Sequence, residues 1–331
     1  LMAASGSQWM TGMSVGDGEV LRHSSNARFV YALGDATELY NSADISATGV
    51  VHASRSIVWL KPDHVVYYDR AETSQAARFK RLWQQLPAEG TISGKTMRAS
   101  SPKGQQLLIT TLLPKDATLQ VQVGGGAPVD ESIMTHRLRV DPGAERAKER
   151  FLHVFQGADA NAKGDTPTLI EASEGGYAGA AVAGVALLFP EQLGPAATTI
   201  RYRAPGNTQQ HIVTGLKPSQ VYKVSVGAES GGEVEVSISE AGSGESAKAD
   251  SAGVLAYPEV ASEEAPDGGL PPLNDGGPPT PGQEGQSGHG RNKDGCSVAG
   301  PGSGGSFAVV ALIALLAFWR RRQGRGARAD R

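Results

Sequence analysis

The sequence has 331 residues, enough for two ordinary domains with extensions, and its 31 Lys and Arg stand against 34 Asp and Glu. A net charge of −3 excludes the strongly basic footprint of a nucleic-acid-binding protein, so no nucleic acid is expected as a partner. One cysteine and seven scattered histidines exclude an internal disulfide and any CxxC or HExxH spacing, so the sequence points to no metal site and names no cofactor.

The chain opens Leu1-Met2-Ala3-Ala4, without a basic stretch or an apolar run, and does not read as a signal peptide. Residues 20–257 carry short apolar alternations separated by turn residues. Ser56 to Leu60, Lys61-Pro62-Asp63-His64, then Val65 to Tyr68 reads as strand, turn, strand, with Pro62 and Asp63 suited to the turn. Leu119, Val121 and Val123 alternate with Gln120 and Gln122, and Leu138 and Val140 sit among Arg137 and Arg139. Tyr222, Val224 and Val226, then Val234, Val236 and Ile238, alternate in the same way. Such alternation marks half-buried strands of antiparallel sheets. Gly124-Gly125-Gly126 reads as a turn. The charged run Glu145 to Arg150 favours a short helix over 144–156. Leu216-x-Pro218-x-x-x-Tyr222 has the form of a fibronectin-type tyrosine corner, which gives Tyr222 a structural role.

Beyond residue 257 the composition changes. Residues 258–295 are rich in Pro, Gly, Glu and Ser and nearly free of large apolar side chains, so they are expected to form a disordered stalk. Residues 300–319 carry no charge and end in the apolar run Phe307 to Trp319, the length of one membrane-spanning helix. Arg320, Arg321, Arg322, Arg325 and Arg328 follow, which places the C-terminal end in the cytoplasm and the rest of the chain outside. That topology leads us to expect an export signal upstream of Leu1, the chain being a C-terminal part of a longer protein.

The expected fold class is therefore mainly β. Antiparallel sandwich sheets occupy 1–140 and 141–257, followed by the stalk 258–295 and the tail 296–331 with its transmembrane helix. Gly295-Cys296-Ser297, a Gly/Ser/Pro stretch, an apolar span and an Arg cluster together resemble the myxobacterial C-terminal sorting tail of the MYXO-CTERM type. That resemblance implies processing or lipid attachment at Cys296 and anchoring at the outer surface of the cell envelope, with the membrane as a partner.

A second resemblance covers residues 26–155. Gly34-Asp35-Ala36-Thr37-x-x-Tyr40, Arg55-Ser56-Ile57-Val58-Trp59-Leu60-Lys61-Pro62 and Val65-Val66-Tyr67-Tyr68-Asp69-Arg70 stand in order. Lys80 to Pro87 and Phe151-Leu152-His153-Val154-Phe155 follow them. Together they resemble the β-sandwich region of the heparinase II/III-like polysaccharide lyases. The resemblance implies a protein acting by β-elimination on acidic polysaccharide, with the catalytic Tyr and His groups mainly on a helical toroid that this chain does not contain. The sequence departs from the family pattern at Gln85, where a His is usual after the Trp. No catalytic residue is therefore assigned, and the chain alone is expected not to cleave.

Arg55 and Arg70, at strand ends, are candidates to bind uronate carboxylates through paired hydrogen bonds, or else to pair within the fold, for instance with Asp69. His23 is a remnant ligand or a surface-loop residue, and Asp35 and Tyr40 are substrate contacts or a turn and a packing residue. His136 and His153 sit in strand patterns typical of core or edge histidines. A non-catalytic surface adhesion or carbohydrate-binding protein is the alternative function.

Overall fold

The computed structural model describes residues 18–41, 49–78, 80–123 and 136–259. In chain order the first elements are β1 (Glu19–Ser25), β2 (Phe29–Asp35), the single helical turn α1 (Thr37–Tyr40), β3 (Val50–Leu60), β4 (His64–Thr73) and β5 (Leu82–Leu86). Then come β6 (Gly90–Ser93), β7 (Thr96–Ser100), β8 (Gln106–Leu113), β9 (Thr118–Val123), β10 (His136–Asp141) and β11 (Lys148–Ala158). The chain continues through β12 (Thr168–Glu171), β13 (Tyr177–Val182), β14 (Val185–Pro190), β15 (Thr199–Pro205) and β16 (Gln210–Val213). It ends in β17 (Val221–Val226), β18 (Glu233–Ser239), β19 (Glu245–Lys248) and β20 (Leu255–Tyr257).

The described residues are mainly β and form four sheets. The largest has the order β1-β2-β3-β4-β11-β8-β7-β6, and a small one has β5-β10-β9. The third is β12-β13-β14-β16-β20 and the fourth β15-β18-β17-β19. All pairs are antiparallel except β14 with β16, which is parallel. The expectation of purely antiparallel sheets is corrected there: β15 belongs to the fourth sheet, so the chain crosses out and back before β16 is laid down.

Three apolar clusters show how the sheets stack. Phe29, Tyr31, Val58, Tyr68 and Leu152 of the large sheet meet Ala178, Leu187, Phe189 and Ile212 of the third. The Tyr68 and Phe189 rings stack at 5.2 Å between centroids. The opposite face of the third sheet, with Tyr177, Ala186, Leu188 and Val213, packs on Tyr202, Tyr222, Val236 and Ile238 of the fourth. Met97, Ile109 and Phe151 on the other face of the large sheet meet Leu86, Leu138 and Val140 of the small one. The layers therefore run fourth, third, large, small. Each fully buried aromatic or aliphatic side chain contributes about 1.5–3 kcal/mol to holding them together.

The third sheet is covered on both sides, so β13 and β14 read as one apolar run, YAGAAVAGVALLF, rather than as an alternation. Gly179 is needed within it, because a Cβ there would run into the backbone of Leu187 on the neighbouring strand. Arg22 of β1 ties the large sheet to the far loops, donating from Nη1 to Leu216 O (3.0 Å) and Ala252 O (2.9 Å).

The helix expected over 144–156 is a strand instead. β11 lies between β4 and β8 in the middle of the large sheet. Phe151 to Val154 are buried without a break, and burial on both faces overrides the local helix preference of the charged run. The charges of that run are used across strands and sheets: Lys148 pairs with Glu72 at 3.1 Å, and Arg150 pairs with Glu191. At the fourth sheet, the Lys217 N–H donates to the Tyr222 hydroxyl at 3.1 Å.

The residues of the expected stalk from 260 on, the apolar segment 300–319, Cys296 and Gly124-Gly125-Gly126 lie outside the described residues. Among the described residues no helix is long and apolar enough to cross a membrane.

Candidate functional site

Register in the large sheet brings the motif residues together. β3 and β4 pair Arg55 with Asp69, Ile57 with Tyr67 and Trp59 with Val65. β4 and β11 pair Asp69 with Phe151, Tyr67 with His153 and Val65 with Phe155. Paired residues share a face, so three rows of three side chains stand side by side: Arg55-Asp69-Phe151, Ile57-Tyr67-His153 and Trp59-Val65-Phe155. β2 extends the rows with small residues, Gly34 beside Arg55 and Ala32 beside Ile57. The small sheet covers the Phe151 side of this face, while Arg55, Ile57, Trp59 and Tyr67 stay partly exposed.

Arg55 is held by a two-pronged ion pair. Its Nε donates to Asp69 Oδ1 at 2.5 Å and its Nη2 to Oδ2 at 3.0 Å. The guanidinium also lies 5.1 Å from the centre of the Tyr67 ring. Burial acts to lower the pKa of Arg55, but the charge and hydrogen bonds of Asp69 outweigh it, so the group is raised above its ordinary value and stays cationic. The arginine side chain is 35% exposed, and its Nη1 donates no hydrogen bond among the described residues. Burial raises the Tyr40 and Tyr67 hydroxyls, with the charge of Arg55 opposing it in both. Tyr67 and Phe155 rings lie 4.7 Å apart.

His153 is wholly buried in the middle row. Its Nδ1 is 3.1 Å from Thr111 Oγ1, and its Nε2 has no hydrogen-bond partner among the described residues. Burial, assisted by the Arg55 charge, pushes its pKa down to about 3, so it is neutral at physiological pH. The face thus offers an oriented cation beside aromatic rings. Among its described residues both tyrosines are shifted upward and the histidine is wholly buried.

Arg70 stands one residue from Asp69 and therefore on the opposite face. It is buried between the large and third sheets, donating from Nε (2.8 Å) and Nη2 (2.6 Å) to Pro190 O and from Nη1 to Ser56 Oγ (3.1 Å). Its guanidinium lies 4.6 Å from the Tyr68 ring centre. The structure brings Arg55 and Tyr40 together and sends Arg70 away from them. Asp35 makes a turn, accepting from the Thr37 N–H at 2.8 Å. His23 is exposed on the edge strand β1, His136 is half-buried on β10, and Gln85 is exposed on β5.

Reading the residues one at a time misses the part of Tyr67 beside Arg55, although the alternation through Arg55-Ile57-Trp59 and Val65-Tyr67-Asp69 already sets them on one face. A cleft of about 400 Å³ opens on the other face, lined by His52, Glu72, Lys148, Arg150 and Glu191. Its charges are matched within the fold, Lys148 by Glu72 and Arg150 by Glu191. Among the described residues no group of three His, Cys, Asp or Glu is placed to hold a metal ion.

No protein-family profile matches the chain, and no curated protein matches it. Solved structures resemble it over part of its length. The heparan sulfate lyase HepC from Pedobacter heparinus is similar with a TM-score of 0.37 and 11% identity, over 46% of this chain and 23% of that protein. A heparinase III is similar with a TM-score of 0.40 and 10% identity, over 50% of this chain and 26% of that protein. The chain thus spans about a quarter of the length of the lyases it resembles.

Proposed function

We propose that this chain is the acidic-polysaccharide-recognising β part of a surface-attached protein of the heparinase II/III-like kind, with Arg55 as the contact for a uronate or sulfate group. The observation that carries this reading is the partly exposed Arg55 fork, fixed by Asp69 beside Tyr67 and with its Nη1 end uncommitted. Asp69 orients the guanidinium, and Nη1 donates to the anion. Tyr67 and Trp59 present rings on which a sugar can lie. The ordered sequence motifs favour the same ligand class, since Arg55, Trp59, Tyr67 and Asp69, which are among the residues that carry the resemblance, line this face.

In this reading the described residues bind, and the β-elimination characteristic of the family is carried out by groups outside them. Arg55→Gln keeps a polar donor on a shorter stem and removes the charge, and it should weaken binding of heparan-type oligosaccharides to the purified chain about tenfold. Equal affinity of variant and parent would remove Arg55 from the site. Unsaturated sugar ends released by the purified chain would overturn the division between binding and chemistry.

The tail is read with it as the surface attachment. Replacing Cys296 by Ala should release the protein from the cell surface into the medium, and full surface retention of that variant would refute the attachment.

A further inference from the structure

A second cationic and aromatic surface lies on a different sheet. In the small sheet, β10 runs between β5 and β9. Leu86, Leu138 and Val140 point inward to the core, so the residues between them point outward. Two rows cross this outer face: Gln85-Arg137-Gln122 and Trp83-Arg139-Gln120. At the strand spacing each row is about 10 Å wide and carries donors across its whole width.

Trp83 orders the arginines. The guanidinium of Arg137 lies 4.0 Å from the centre of its ring, and those of Arg81 and Arg139 lie at 5.8 and 5.9 Å. Arg81 and Arg139 both donate to Asp141, one to each carboxylate oxygen. One carboxylate thus serves two guanidinium groups, and the third has no counter-ion among the described residues. Arg137 makes no hydrogen bond or ion pair among the described residues, and its Nε is buried without a partner. A guanidinium held over an indole ring with its Nε buried and unpartnered gains by meeting an anion. At the Asp141 end of the rows opens a cleft of about 400 Å³, lined by Lys80, Arg81, Arg139, Asp141 and Arg146 among others.

We infer that the outer face of the small sheet is a second binding site for an acidic polysaccharide, with Arg137 receiving a carboxylate or sulfate of the chain. Trp83 holds the guanidinium 4.0 Å from its ring centre, so its fork is positioned before the ligand arrives. Gln85 and Gln122 flank it and hydrogen-bond the hydroxyls of the same sugar unit. Arg139 and Arg81 continue the positive strip toward the cleft, which suits a polymer with repeated charge rather than a single small anion. The ligand class rests on the proposed function; the site does not, since none of its residues belongs to the Arg55 face.

The test is binding of a sized heparin-type oligosaccharide to the full chain, with Arg137→Gln, Arg137→Lys, Arg55→Gln and the double variant Arg55→Gln/Arg137→Gln. Arg137→Gln should weaken binding five- to tenfold. Arg137→Lys should recover only part of it, because the ammonium keeps the charge but not the flat fork. The double variant should lose more than either single one. If Arg55→Gln weakens binding and Arg137→Gln leaves it unchanged, the second site is refuted and the first stands. If Arg137→Gln weakens binding and Arg55→Gln does not, the assignment of Arg55 fails and the second site stands. A parent chain that binds no acidic oligosaccharide refutes both, and equal Arg137-dependent binding of single-stranded DNA would overturn the polysaccharide as occupant.

Discussion

Arg55 and Arg70 belong to paired strands of one sheet, where Arg55 stands across from Asp69 and Arg70 across from Ser54. One step along the strand separates their fates. Arg55 looks to the face that the small sheet leaves open, pairs with a carboxylate and keeps one end of its fork uncommitted. Arg70 looks to the covered face and gives every arm of its guanidinium to Pro190 O or Ser56 Oγ. The same residue type is a candidate ligand contact on one side and an inter-layer strut on the other. A strand's two-residue period allocates the roles, and what stacks on each face decides which is which.

The largest effect expected from this contrast comes from acidification. His153 sits on the face of Arg55 but beneath its surface, with its pKa pushed from 6.5 down to about 3. Between those values the unfolded chain binds a proton that the folded chain refuses. The stabilisation gained by keeping it neutral is therefore whole above pH 6.5 and is lost as pH falls toward 3, at about 1.4 kcal/mol per pH unit. His211, lowered to about 4 by burial and hydrogen-bonded through Nδ1 to the Tyr202 hydroxyl at 2.9 Å, acts with the same sign. The urea midpoint should fall steeply from pH 6.5 to pH 4. In His153→Leu the fall should be shallower by up to about 1.4 kcal/mol per pH unit. An unchanged slope would mean that water reaches this histidine in the folded protein and that the face is open deeper than Arg55.

Much of this arrangement is written in local pattern. Ser56 to Leu60 and Val65 to Tyr68 are short apolar runs on either side of the Lys61-Pro62-Asp63 turn, and they form the β3–β4 pair, in which deep and partial burial alternate. Tyr222 likewise sits where its hydroxyl meets the Lys217 N–H. The β13–β14 hairpin is not legible in this way, since both of its faces are covered and the period vanishes from the sequence. β11 begins within a charged run that favours helix, and only its place between β4 and β8 reveals a strand. The candidate sites divide along the same line. Arg55 and Asp69 stand in recognisable motifs, whereas Trp83 and Arg137 meet only through the pairing of β5 with β10, which no local pattern announces.

The smaller effect is the sharper test of the two-face comparison. Arg70→Met retains the aliphatic stem and removes the guanidinium. Pro190 O then loses both of its side-chain donors and Ser56 Oγ loses one, in a space that water does not enter freely. Leaving buried acceptors without donors should cost about 3 kcal/mol, read as a lower urea midpoint at constant m-value. Arg55→Gln should cost below about 1 kcal/mol, because its ion pair is partly solvated and the glutamine amide still donates to Asp69. In oligosaccharide binding the ranking reverses: Arg70→Met, while folded, keeps the affinity of the parent chain and Arg55→Gln loses it. If both substitutions destabilise equally, the Arg55–Asp69 pair is a strut like Arg70 and the open face has no uncommitted cation to offer. If Arg70→Met weakens binding without unfolding the chain, ligand reaches the cleft beside His52 and Glu72, and the covered face becomes the place to look.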